Sequence, residues 1–155
     1  MARVQEEIKL ANLSEMPKFK ETQSLPYLSA VIKEAMRLHT PVGLMLERVV
    51  PAGGVTLCSQ EVKEGTIVGC NPYFIHRSKD VYGKAYDVDE FWPERWLEAD
   101  QKQKSKMDRY FMDFGSGKRM CIGRNISLLE IYKLVPLLLV RFDIQLAHPE
   151  RDWHV

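Results

Sequence analysis

A single α+β domain, mainly helical with a small β portion, is what this chain of 155 residues predicts. Apolar residues recur at helical spacing near the start, between residues 26 and 39, and again from 126 to 139. Short β-prone stretches broken by Gly and Pro lie between residues 44 and 70. The composition, 45% hydrophobic and 28% charged, belongs to a globular chain and excludes a disordered or fibrous one.

Taken in order, residues 1–10 read as a helix with Val4, Ile8 and Ala11 on one face, ended by the polar stretch around Asn12, Ser14, Pro17 and Lys18. Ser24 reads as an N-cap and Pro26 as part of the first turn of a second helix. Its apolar face is Leu28, Val31, Ile32, Ala35, Met36 and Leu38, running through to His39. Leu44 to Val50 reads as a strand, and Pro51-Ala-Gly-Gly as a turn. Val55–Cys58 and Thr66–Cys70 read as two further strands, with Glu64-Gly65 turning before the second. Asn71-Pro72 ends the sheet and a short helix is expected over Tyr73–Arg77. Residues 98–109 are so densely charged that a solvated loop is expected there. From Ile126 to Leu139 apolar residues occupy nearly every helical position, so a buried helix is expected, with Pro136 kinking it or removing one backbone bond. Phe142–Leu146 reads as a strand leaving that helix. No internal repeat or low-complexity segment occurs.

The formal charge of +1 gives no electrostatic reason to expect a nucleic-acid partner. Cys58, Cys70 and Cys121 are too few and too scattered for a disulfide framework or a zinc site, which favours a reducing compartment. The apolar run Leu134–Val140 is too short to span a bilayer, and the charged N-terminus lacks the apolar core of a signal peptide. His39, His76, His148 and His154 show no metal-ligand spacing.

The chemistry concentrates in Phe114-Gly-Ser-Gly-Lys-Arg-Met-Cys-Ile-Gly123. Glycines at 115, 117 and 123 suit a tight loop with positive φ and close approach to the backbone. Cys121 stands at the mouth of the last helix, where free N–H groups and the macrodipole favour a thiolate. Arg119 suits a carboxylate or phosphate beside that sulfur. A sulfur ligand, backbone approach and a carboxylate partner together describe a bound metal cofactor with acidic arms, a description that heme fits. The filled pattern F-x-x-G-x-R-x-C-x-G, carried by Phe114, Gly117, Arg119, Cys121 and Gly123, resembles the cysteine-ligand loop of the cytochromes P-450, the heme-thiolate monooxygenases.

The resemblance runs further. Glu34 and Arg37 stand three apart on one helix face, which alone signals only an ion pair. Phe91-Trp-Pro-Glu-Arg-Trp96 is similar to the family's aromatic P-E-R segment, which implies that Arg95 joins Glu34 and Arg37 in a buried structural triad concerned with cofactor retention. The resemblance implies that Cys121 is the axial ligand of heme iron, that Arg119 and Arg48 meet the propionates, that Phe114 shields the sulfur, and that Gly117 and Gly123 let the backbone pass near the ring. His76-Arg77 matches a family position too, and His76 is expected to be a hydrogen-bonded structural residue. Leu44, Met45 and Leu46 suit an apolar pocket border and suit core packing equally well. The implied reaction inserts one atom of dioxygen into a small apolar organic substrate, with electrons from NADPH through a separate flavoprotein reductase.

Among its members the chain resembles fungal ones, and among these the pisatin demethylase group. It covers only the C-terminal part of the family's fold, without the distal helix that handles dioxygen. The resemblance therefore implies a truncated fold, residues 1–155 being a partial domain that is inactive alone. It also implies no catalytic residue within it, and a full-length protein on the cytosolic face of the endoplasmic reticulum. A non-catalytic heme binder or pseudoenzyme, and a heme-thiolate isomerase or dehydratase, stand as alternatives.

Overall fold

Helix α3 (Pro26–Leu38) is the spine on which the other elements pack, in a computed structural model that describes residues 2–83 and 85–149. Two apolar clusters meet on it from opposite sides. Leu28 and Ile32 join Val4 and Ile8 of α1 (Ala2–Leu10). Ala30 joins Val81, Tyr82, Val88, Trp96 and Met107. A 3.6-residue period places positions 28 and 32 on one stripe and 30 on another, so one helix serves both cores. Each buried Leu or Ile side chain contributes roughly 1.5–3 kcal/mol.

Helix α3 is not capped by its own neighbourhood. The N-cap position is Leu25, whose side chain accepts nothing, and Ser24 Oγ donates to Glu21 O at 3.0 Å. The acceptor for the first turn comes from α1: Glu7 Oε1 and Oε2 take the N–H groups of Tyr27 and Leu28, each at 2.8 Å. Expecting Ser24 as the cap was therefore wrong, because a carboxylate brought in by tertiary packing supplies both bonds. Pro26 does occupy the first turn, where a missing N–H costs nothing.

After α2 (Phe19–Thr22) and α3 come two small antiparallel sheets. Strand β1 (Leu46–Val49) pairs with β4 (Ile67–Cys70), and β2 (Val55–Leu57) with β3 (Gln60–Val62). The first strand is shorter than the Leu44–Val50 expected, and β3 was not foreseen. Its hairpin turns at Cys58 and Ser59, with φ of 49° and 62°, a mirror-image turn made without the glycine that normally announces it. Gly69 faces Leu46 so closely that a Cβ there would lie 2.7 Å from Leu46 O.

Two short helices follow, α4 (Pro72–His76) and α5 (Lys79–Tyr82), then α6 (Glu94–Glu98) and α7 (Gln101–Tyr110). Helix α7 overturns the loop expected over 98–109. Asp100 caps it, accepting Gln103 N–H at 2.7 Å, and Gln103 and Met107, four apart, are its buried residues. Lys104 and Lys106 donate to the carbonyls of Leu97 and Asp80, so part of the charge run is anchored to the fold.

A 3-10 turn (Gly117–Arg119) leads into α8 (Arg124–Arg141), which continues through Pro136 although proline has no N–H to bond the preceding turn. Ile131, Tyr132, Val135 and Leu139 pack on the α1–α3 cluster, whereas Ile126, Leu134 and Val140 are exposed. Only part of this helix meets an apolar partner among the described residues, so burial on every face is not found. Residues 142–146 form no strand, because no described strand lies alongside them. No described helix is long and apolar enough to cross a membrane. His154 lies outside the described residues.

Candidate functional site

The structure brings Glu34, Arg37 and Arg95 together. Glu34 Oε1 accepts from Arg37 Nη2 at 2.9 Å, Arg95 Nε at 2.9 Å and Trp92 N–H at 3.0 Å. Its Oε2 accepts from Arg37 Nε and the Trp96 indole N–H, both at 2.9 Å. The side chains of Glu34 and Arg37 are 0% exposed and that of Arg95 2%. Burial pushes the Glu34 carboxyl up, but hydrogen bonds from Arg37 and Trp92 N–H, with the charges of Arg37 and Arg95, bring it below its ordinary value. The remaining guanidinium donors reach carbonyls: Arg37 those of His76, Val88 and Glu90, and Arg95 those of Tyr82, Asp87 and Glu90. The arginines thus clasp the stretch before α6 onto α3. Two partners in this cluster, the Trp92 N–H and the Trp96 indole, had no sequence signal beyond lying beside Arg95.

His76 connects this cluster to the loop. Its carbonyl accepts from Arg37 Nη1 at 2.8 Å, its Nε2 accepts Met112 N–H at 2.8 Å, and its ring stacks on Phe111 with centroids 5.4 Å apart. Asp113, the next residue along, is fully buried in its side chain and was not singled out from the sequence. Its only signal was an acid standing between Met112 and Phe114.

The loop then closes on itself. Gly115 N–H donates to Met112 O at 2.9 Å and Cys121 N–H to Phe114 O at 2.8 Å. Gly115 and Gly117 take φ of 68° and 67°, which L side chains avoid. Gly123 does not: its φ is −79°, and it forms the N-cap of α8, so positive φ is not its role. A Cβ at 123 would instead lie 3.7 Å from Cys121 Sγ, in ordinary contact with the sulfur. Cys121 is a free, exposed thiol three residues before α8 begins.

Arg48 is on the same strand as Leu46, whose Cδ1 would touch a Cβ at Gly115 at 4.0 Å. Residues two apart share a strand face, so Arg48 is on the side of β1 that meets the loop. Its Nη1 donates to the neighbouring Glu47 O, at 2.6 Å. Among the described residues no carboxylate pairs with Arg48 or Arg119. Around them Leu44, Met45, Met120 and Ile122 are exposed.

One thiol, two exposed arginines, a loop shaped by positive-φ glycines and exposed apolar side chains are chemically compatible with an apolar macrocycle that carries a metal and carboxylate arms. Among the described residues no cluster of three or more His, Cys, Asp or Glu could hold a bare metal ion.

The family model described as Cytochrome P450 matches residues 1–154. "Cytochrome P450 monooxygenase cicH" of Emericella nidulans is 49% identical over 143 residues, covering 92% of this chain and 28% of that protein. A "Cytochrome P450 monooxygenase" of Aspergillus terreus is 47% identical, covering 86% of this chain and 27% of the relative. "Cytochrome P450 monooxygenase mfmA" of Annulohypoxylon moriforme is 40% identical, covering 97% and 29% respectively. The chain therefore spans under a third of the length of these relatives. With the family's pattern across nearly all its length and fungal relatives at these identities, this chain belongs to the cytochrome P450 family.

Proposed function

We propose that this chain supplies the proximal heme-binding part of a monooxygenase that inserts one atom of dioxygen into a small apolar organic substrate. Electrons come from NADPH through a flavoprotein reductase, and the segment alone is inactive. The observation that carries the reading is the closed loop presenting an exposed Cys121, with Arg119 on the same loop and Arg48 on the adjoining strand, neither paired with a carboxylate among the described residues.

When bound, heme supplies the dioxygen chemistry, with a thiolate ligand that favours O–O cleavage. The protein's own part is to hold and tune it. Cys121 would hold the heme iron through its sulfur. Arg119 and Arg48 offset the charge of the propionates. Phe114, whose carbonyl accepts the Cys121 N–H, would pack near the sulfur and help keep water from it once heme covers the loop. Gly117 and Gly123 keep side-chain bulk away from the ring. Glu34, Arg37 and Arg95 act structurally, holding the chain before the loop. The whole protein, on the family's pattern, works at the cytosolic face of the endoplasmic reticulum.

The reduced carbon-monoxide difference spectrum of the heme-loaded chain tests this. A strongly red-shifted Soret band that disappears in Cys121→Ala is expected. The same spectrum in both proteins would overturn the ligand assignment.

A further inference from the structure

The entrance to the cysteine loop carries a buried polar unit that the arginine cluster does not require. His76 and Asp113 have side chains 0% exposed, with His76 Nδ1 4.0 Å from Asp113 Oδ1. Both carboxyl oxygens of Asp113 are buried and make no hydrogen bond. Buried polar groups are ordinarily satisfied, so a bare carboxyl beside an imidazole calls for a reason.

The bonds around the ring fix its protonation. Met112 N–H donates to Nε2 at 2.8 Å, so Nε2 carries no hydrogen. Thr40 Oγ1 donates to Arg37 O at 3.1 Å, so at 3.0 Å from Nδ1 it accepts the Nδ1 hydrogen. The ring is the neutral Nδ1–H tautomer. A continuous chain results, from loop amide to imidazole to hydroxyl to the Arg37 carbonyl, and Arg37 Nη1 returns to His76 O at 2.8 Å. Met112 also accepts Gly115 N–H at 2.9 Å, so the imidazole grips the point from which the loop to Cys121 departs.

We propose that His76 is a positioning residue: through Met112 N–H it fastens the cysteine loop to the buried arginine cluster, and Asp113 is an acid that competes for the same imidazole once ionised. Protonated, Asp113 leaves the Nδ1 hydrogen to Thr40. Ionised, it is a bare carboxylate facing Nδ1–H, and turning the ring toward it withdraws Nε2 from Met112. Burial pushes Asp113 up to about 7, and burial with the charges of Arg37 and Arg77 pulls His76 down to about 4, so the imidazole is neutral near pH 7 while Asp113 changes charge across that range. The other groups around the pair are Glu34 on α3, which neutralises Arg37, Tyr82 on α5, edge-on to the His76 ring at 6.2 Å, and Asp108 on α7.

The test is backbone amide exchange of the chain without cofactor, expressed as protection factors at Met112 and Cys121, with the α1 amides as reference. His76→Leu removes the acceptor, whereas His76→Gln places an amide oxygen near the position of Nε2. His76→Leu should lose roughly tenfold protection in the loop, the factor one net hydrogen bond is worth, and His76→Gln should recover most of it. Wild-type protection at these amides should also fall between about pH 6 and 8, and Asp113→Asn should abolish that fall. Unchanged loop protection in His76→Leu overturns the proposal. If that variant does not fold, Asp113→Asn decides, and a persisting pH-dependent fall overturns it.

In heme-loaded protein, His76→Leu should also lower the fraction showing the red-shifted band, with His76→Gln restoring it. That last readout alone rests on Cys121 being the ligand. A wild-type protein without such a band would fail the functional reading while the exchange data still judged His76.

Discussion

Arg37 and Arg119 show what burial demands of a guanidinium and what exposure leaves undone. Arg37 is wholly inside the protein and places its nitrogens on Glu34 and on the carbonyls of His76, Val88 and Glu90. Arg119 stands on the 3-10 turn of the cysteine loop and makes no side-chain bond among the described residues. A buried charge must be compensated at once, because the interior offers no water to do it. An exposed one can wait for a ligand. The first cluster therefore acts on the fold, and the second contributes no side-chain bond to it among the described residues.

The largest effect should come from Glu34→Ala, which strands Arg37 and Arg95 without their shared carboxylate. A loss of about 3–5 kcal/mol, the usual result of breaking a buried pair, is expected in urea unfolding. A loss below about 1 kcal/mol would mean that the carbonyls around the arginines suffice, and the contrast between the two clusters would collapse. Arg95→Ala should likewise lower the yield of folded, heme-loaded protein.

Next in size is the pH response of the pair that joins the two regions. With Asp113 raised from 3.8 to about 7, the folded chain keeps a proton that the unfolded chain releases, so this group's stabilising contribution falls as pH rises through that window. With His76 lowered from 6.5 to about 4, the unfolded chain binds the extra proton, so its contribution rises with pH over nearly the same window. The two slopes oppose each other in the wild type. Asp113→Asn should leave only the rising one, so stability relative to wild type should climb by roughly 1–3 kcal/mol between about pH 4.5 and 7.5, the cost of one buried unsatisfied polar group. A flat difference would show that the carboxyl reaches water.

A smaller effect belongs to Glu7, which caps α3 from α1. Glu7→Ala should cost about 1 kcal/mol, as loss of a helix cap does, read from the shift of the urea midpoint. No change would mean that water replaces the carboxylate at Tyr27 and Leu28.

Glu7 also marks where reading the sequence stopped. Helix α3 was legible because its apolar stripe and Pro26 are local signals, but the cap is a contact across twenty residues of chain that no local rule contains. Helix α7 was missed because its buried face is only Gln103 and Met107, too narrow a stripe to stand out from its lysines. The faces of α8 were misjudged because apolarity predicts burial only where a partner surface exists. The cysteine loop was legible at once, since glycines, a cysteine and an arginine at fixed spacing are local. Arg95 could be joined to Glu34 only by resemblance. Asp113 was invisible, because nothing in the order Met-Asp-Phe says that the acid turns inward.

The smallest expected changes in stability fall in the exposed cluster, and they separate it most sharply from the buried one. Cys121, Arg119 and Arg48 are exposed and have no ion-pair partner among the described residues, so Cys121→Ala, Arg119→Ala and Arg48→Ala should each shift unfolding by no more than about 0.5 kcal/mol without cofactor. With heme the ranking should invert. Cys121→Ala should abolish the thiolate-type spectrum altogether. Each arginine variant should weaken heme retention about tenfold or more, as loss of a charge-assisted hydrogen bond does, measured as transfer of heme to an acceptor protein. An arginine variant that destabilises the cofactor-free chain would have a hidden role in the fold. One that is silent in both states would not face the propionates. Stability and retention therefore have to be measured on the same variants, because only together do they tell a group that builds the site from a group that holds its occupant.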